Sequence, residues 1–199
     1  MKLTVIFLHL SSLFLLVSST DGAPAVLDIE GNEVRRGITY YVLPNNGTGG
    51  GLTASGRNAT CPLYVGKASS ETDPGVALIF FPLEQSSDAL SEASDTNIAF
   101  SSSPLCAQSM VWKLQGGVSE GASRVYVGLD GTLGNPGVAT VSNWFNVRKA
   151  EEGGYNLVFC PGVCEVCRVI CGDLGLFVED GKTWLGLRGS SFSVVFKKV

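Results

Sequence analysis

Histidine is nearly missing from this chain: the single one, His9, stands in the first apolar stretch. Once that stretch is removed, the protein has no imidazole. It then builds no Ser-His-Asp or Cys-His site and binds no metal through histidine. Charge is sparse too, at 16% of residues with a net charge of −4. Lys and Arg form no cluster; the nearest pair, Lys197-Lys198, reads as a solvated end. Phosphate backbones require clustered cations, so nucleic acid is not expected as a partner. Beyond the start of the chain no apolar run is long enough to span a membrane. Gly49-Gly50-Gly51 lacks the Gly-Lys-Ser/Thr and helix of a phosphate loop; it reads as a flexible loop, and no cofactor is expected.

The first residues have the form of a signal peptide. Met1-Lys2 gives a small positive region, residues 5–17 are mostly apolar, and Ser18, Ser19 and Thr20 follow. The run is too short for a transmembrane helix and ends in residues of cleavage type. Residues 1–19 are read as the signal, with a cut after Ser19 and Gly22 as the alternative. One domain then fills residues 20–199, since no linker divides them. The expected route is secretory.

What is present is apolar and rich in β-formers, in short runs. They lie at 38–43, 76–81, 98–100, 111–114, 125–129, 144–147, 155–160, 174–178, 184–187 and 192–196. Turn formers separate them: Asn45-Asn46-Gly47, Asp130-Gly131, Asn135-Pro136-Gly137, Gly153-Gly154 and Asp180-Gly181. This is the pattern of an all-β sandwich or barrel, with no sustained helical period after the signal. With 45% apolar residues the chain has material for a sizeable core.

The six cysteines are Cys61, Cys106, Cys160, Cys164, Cys167 and Cys171. An even number behind a signal peptide implies disulfides, and the sequence alone leaves their pairing open. The last four form C-x3-C-x2-C-x3-C. Zinc would need four thiolates, which oxidising export disfavours. A Cys164–Cys167 redox pair would need a helix N-terminus in a βαβ setting, and none is visible. Structural bridges are the preferred reading, and no metal is expected. Asn46-Gly47-Thr48 and Asn58-Ala59-Thr60 are sequons for N-glycans.

Two blocks carry a family resemblance. The first is Val26-Leu27-Asp28-Ile29-Glu30-Gly31-Asn32-Glu33-Val34 followed by Tyr40-Tyr41-Val42. The second is Val158-Phe159-Cys160-Pro161-Gly162-Val163-Cys164, then Cys167, then Cys171-Gly172-Asp173-Leu174-Gly175, supported by Ser142-Asn143-Trp144-Phe145 and Val111-Trp112-Lys113-Leu114. Together they resemble the plant Kunitz (soybean trypsin inhibitor) family, in its miraculin-like branch, across residues 20–199. The resemblance implies a β-trefoil of twelve strands in three pseudo-repeats. It also implies the bridges Cys61–Cys106, Cys160–Cys171 and, from the miraculin-like branch, Cys164–Cys167.

Members that inhibit proteases do so with an exposed, rigid, substrate-like loop whose ordering entropy is lost before binding. By that resemblance the reactive loop is Pro82-Leu83-Glu84-Gln85-Ser86. Glu84 takes P1, the residue that fills the specificity pocket, and Gln85 takes P1′. A trypsin-type pocket carries a carboxylate and accepts Arg or Lys; Glu84 would meet it charge against charge. Between residues 68 and 114 the only cation is Lys113, so a small shift of register does not restore a trypsin site. A shift to Leu83 gives a chymotrypsin-like or subtilisin-like P1. Family inhibitors also have an asparagine that hydrogen-bonds the loop from inside where this chain has Arg36. Arg is longer and always charged; the expectation is that Arg36 turns to solvent and rigid support of the loop is lost.

The expected function is a secreted, monomeric Kunitz-type inhibitor of a serine or cysteine protease or another hydrolase, not directed at trypsin. The alternative is a non-inhibitory, miraculin-like storage or defence-associated protein. An enzyme is not expected. Glu151-Glu152 reads as a solvated turn, Asp130-Gly131-Thr132 is not the D-T-G of aspartic proteases, and no nucleophile has a base.

Overall fold

Alternation is the first structural fact: from Thr39 to Pro44, every second residue is buried, Tyr40, Val42 and Pro44 facing inward. That period of two defines a strand with one face in the core. In the computed structural model, which describes residues 22–47, 49–57, 61–102, 109–116 and 124–199, twelve strands follow one another. They are β1 (Thr39–Pro44), β2 (Leu52–Ser55), β3 (Tyr64–Lys67), β4 (Leu78–Pro82), β5 (Thr96–Phe100) and β6 (Lys113–Gln115). After them come β7 (Val125–Gly128), β8 (Asn146–Lys149), β9 (Tyr155–Phe159), β10 (Gly172–Glu179), β11 (Lys182–Leu187) and β12 (Ser193–Lys198). A 3₁₀ helix, Val138–Asn143, precedes β8.

Six strands close a barrel. β1 pairs with β12 and β4, β4 with β5, β8 with β9, and β9 with β12, all antiparallel. The remaining gap is closed by the Thr96–Phe145 bridge, where each residue's N–H donates to the other's carbonyl at 2.8 and 2.9 Å. The other six form the hairpins β2–β3, β6–β7 and β10–β11, and one strand of each meets the others through β3–β7, β7–β11 and β3–β11. Three hairpins over a six-stranded barrel, repeated every four strands, make a β-trefoil.

The barrel is filled by aromatic side chains in edge-to-face or tilted contact: Phe80 with Phe196 (5.3 Å), Tyr155 with Phe196 (5.5 Å), Phe145 with Phe159 (5.8 Å). Such pairs stabilise by about 0.5–1.5 kcal/mol beyond their burial. At the cap, the Arg57 guanidinium lies 4.0 Å from the Tyr126 ring and pairs with Glu179, so the segment after β2 meets β7 and β10 at one side chain.

Every run expected from the sequence overlaps a strand. β2 and β3 were not expected, because Leu-Thr-Ala-Ser and Tyr-Val-Gly-Lys hold no apolar run longer than two residues. The glycine run also differs from expectation. Gly50 and Gly51 are buried, and a Cβ on Gly51 would lie 2.0 Å from the Pro74 carbonyl oxygen. Close backbone packing, not a flexible loop, explains glycine there.

Candidate functional site

The connection from β4 to β5, residues 83–95, leaves the barrel and returns. Its return arm is paired with the N-terminal segment: Val26 N–H donates to Leu90 O, Leu90 N–H to Val34 O and Arg36 N–H to Asp88 O, at 2.7–2.8 Å. Pro82 is buried at the end of β4, and residues 83–88 are exposed.

Arg36 spans the loop. Its backbone N–H holds Asp88 on the return arm, and its guanidinium Nη2 donates to the carbonyls of Pro82 and of Glu84 (3.1 Å) on the outgoing arm. The expectation that Arg36 turns to solvent is thus corrected. The longer side chain reaches the carbonyls, and its fork of donors serves two at once. From the other side, the Leu83 N–H donates to the Asp95 carbonyl at 2.8 Å.

The Glu84 side chain does not project freely. Its Oε1 accepts the N–H of Gln85 (3.0 Å) and of Ser86 (3.1 Å). These hydrogen bonds, those of Ser86 first, hold its carboxyl below the usual carboxylate range. The loop's outward donors are taken by Glu84 and its inward acceptors by Arg36, which fixes the backbone without a core beneath it.

Two amides missed by sequence reasoning join this loop to its neighbour. Asn97, buried on β5, donates to Asn143 O (2.8 Å) and accepts the Gly134 N–H (2.7 Å). Asn143 Nδ2 donates to Thr132 O at 3.2 Å. β5 therefore braces both the 83–95 loop and the 130–137 turn. Between them lies a shallow cleft of about 190 Å³, walled by Arg36, Pro82, Leu83, Leu133, Pro136 and Trp144. Leu83 and Leu133 are 38% and 48% exposed there. A signal existed for Asn97: an asparagine inside an apolar strand is unfavourable unless its amide is used.

Asp95 is a third residue that sequence reasoning missed. Its carboxylate accepts from Asn146 Nδ2 (3.0 Å) and from the Gly162 N–H (3.0 Å), and so ties the β4–β5 loop to the loop after β9. Burial pushes its carboxyl up, against the pull of those hydrogen bonds.

Cys160 is bridged to Cys171 with Cα atoms 4.4 Å apart, and Cys164 to Cys167 at 5.4 Å. Cys61 is disulfide-bonded; Cys106 lies outside the described residues, as do Asn58 and the segment read as a signal. Asn46 is exposed in the turn after β1. Among the described residues no group of three or more His, Cys, Asp or Glu side chains could hold a metal ion, and no helix is long and apolar enough to cross a membrane.

A braced loop on a trefoil barrel is the frame of an inhibitor family, and comparison with known proteins agrees. Residues 26–198 match the legume Kunitz family model, described as trypsin and protease inhibitor. Miraculin from Synsepalum dulcificum is 39% identical, over 92% of this chain and 87% of its own length. Kunitz trypsin inhibitor 5 from Arabidopsis thaliana is 37% identical, over 92% and 89%. Among solved structures, the Kunitz-type cysteine protease inhibitor from potato superposes with a TM-score of 0.78 at 29% identity, covering 89% of this chain and 98% of the other. The chain belongs to the plant Kunitz inhibitor family.

Proposed function

We propose that the protein is a secreted hydrolase inhibitor, not an enzyme, that presents Pro82-Leu83-Glu84-Gln85-Ser86 to a serine or cysteine protease with Glu84 as P1. The observation that carries this reading is the double hold of Arg36 on Pro82 O and Glu84 O. A loop with no binding task has no need of a charged side chain bonded to its inner carbonyls, whereas a substrate-like loop gains affinity from each degree of freedom lost beforehand. The same reading includes a signal at 1–19, a single domain at 20–199 acting as a monomer, a Cys61–Cys106 bridge, glycans on Asn46 and Asn58, and delivery to the apoplast or vacuole. Trypsin is not the target, because Glu84 faces its pocket carboxylate with like charge.

The non-inhibitory, miraculin-like reading has one observation in its favour: the Glu84 carboxylate is turned back on its own backbone. A single substitution separates the two. Glu84→Arg should convert the protein into a trypsin inhibitor of submicromolar strength, while the unmodified protein leaves trypsin active. Failure of the substituted, folded protein to slow trypsin would favour the non-inhibitory reading.

A further inference from the structure

Glu84 sits at the apex of a held backbone, and the placement of its side chain separates it from Leu83. An extended substrate pairs with its enzyme through the backbone of the residue that enters the specificity pocket. The Leu83 N–H is bonded to Asp95 O, and its side chain lines the cleft beside Leu133, which occupies Leu83 on the protein's own surface. Glu84, one residue on, is exposed and stands clear of that cleft, and its carbonyl keeps one lone pair free beside the one that accepts from Arg36. Its carboxylate accepts the Gln85 and Ser86 N–H groups, so at rest it is an anion already satisfied by two donors. A pocket that draws it out must replace both and must also compensate the charge, because an ionised carboxylate is not buried without a cation or a set of donors. The rest of the segment carries the same sign: Asp88 and Glu92 follow, and no Lys or Arg occurs from residue 68 to residue 112.

We infer that the loop is directed at an endopeptidase whose specificity pocket is cationic, one that cleaves after glutamate. The inference rests on the loop-directed inhibitor reading above and names its partner by chemistry. The self-bonded carboxylate serves two states. In the free protein it shields the Gln85 and Ser86 amides and keeps the loop in one shape; in the complex it rotates into the pocket, and the cation there replaces the amides it leaves. An apolar or acidic pocket offers no such replacement, so discrimination arises from the unmet carboxylate as much as from the matched one.

The test is inhibition of a glutamate-specific serine endopeptidase, beside trypsin, by the unmodified protein and by Glu84→Gln and Glu84→Arg. Position 84 is exposed, so thermal unfolding serves as the check that all three fold alike. The unmodified protein should inhibit the glutamate-specific enzyme. Glu84→Gln, which keeps size and one acceptor but removes the charge, should weaken inhibition by roughly 30-fold or more, the loss usual when one member of a buried charge pair is removed. Glu84→Arg should lose it and gain trypsin. If Glu84→Arg inhibits trypsin while the unmodified protein leaves the glutamate-specific enzyme untouched, the loop is a binding loop and the inference about its partner is wrong. If Glu84→Arg also leaves trypsin untouched, the inhibitor reading falls with it. Equal inhibition by the unmodified protein and Glu84→Gln would likewise overturn the cationic pocket.

Discussion

Arg36 alters the meaning of the departure at the P1 position. Read from sequence, the loop lacks both its cation and its internal support; in the structure only the cation is missing. Removing the guanidinium should therefore weaken inhibition without unfolding the protein. Arg36→Ala gives up two hydrogen bonds to an exposed loop that can open locally while the barrel stays folded. Inhibition of the target should drop at least about tenfold, with the thermal midpoint nearly unchanged and proteolysis within residues 83–88 faster; inhibition unaffected by Arg36→Ala would show that the loop is held by other means. Asp95 supplies a pH test. Burial raises its folded-state pKa, so the folded protein binds that proton more readily than the unfolded chain. Its contribution to stability is fully present below the unfolded value and is lost as pH rises through the folded one. Asp95→Asn keeps an acceptor for the Gly162 N–H and removes the titration. Thermal unfolding across a pH series should show the parent gaining on Asp95→Asn as pH falls from neutral into the carboxylate range; a gain in the opposite direction would contradict the assigned shift.

Among the elements, β5 organises the site. Its start closes the barrel through Thr96 and Phe145, the preceding residue holds Leu83, and its Asn97 amide holds the 130–137 turn. Replacing Asn97 by Ala would leave the part-buried Gly134 N–H and the buried Asn143 carbonyl without that partner. Each such group costs about 1–3 kcal/mol, so Asn97→Ala should lower unfolding free energy by about 2–4 kcal/mol. Hydrogen exchange should quicken at Gly134 before the barrel strands respond. Uniform loosening of the whole molecule would instead make Asn97 a general core residue. The strands expected from the sequence were those whose apolar runs are long enough to declare themselves. β2 and β3 are held by pairing with each other and with β11 and β7, a long-range cause that local composition does not carry.

The whole molecule is a barrel closed by pairing between its ends, β1 with β12, and then stapled in its last third. The two staples differ in reach. Cys160–Cys171 spans 11 residues and Cys164–Cys167 only 3. In the chain-entropy description the outer bridge restricts the unfolded chain by about 3 kcal/mol and the inner by about 2 kcal/mol. Replacing the outer pair by Ala should lower denaturant stability more than replacing the inner pair, with little change in the slope of the transition. The reverse order would mean that the small loop, rather than the larger one, is what the bridges stabilise. Both bridges lie in the segment whose Gly162 N–H meets Asp95, so loss of the outer one should also be felt at the 83–95 loop.

The sequence by itself determined the strand material, the family blocks around Val26–Val34 and Cys160–Gly175, the near absence of imidazole and the acidic apex at Glu84, because each of these is a matter of residue type and local order. Barrel closure, the buried asparagine that braces two loops, the inward turn of the Leu83 amide and the reach of Arg36 across 46 residues to Pro82 were decided only by the tertiary structure. A side chain's donors have a direction only once the backbone around them is fixed. An arginine that is long for an interior place in one register is the right length to hold two carbonyls in another, and spacing along the chain does not say which.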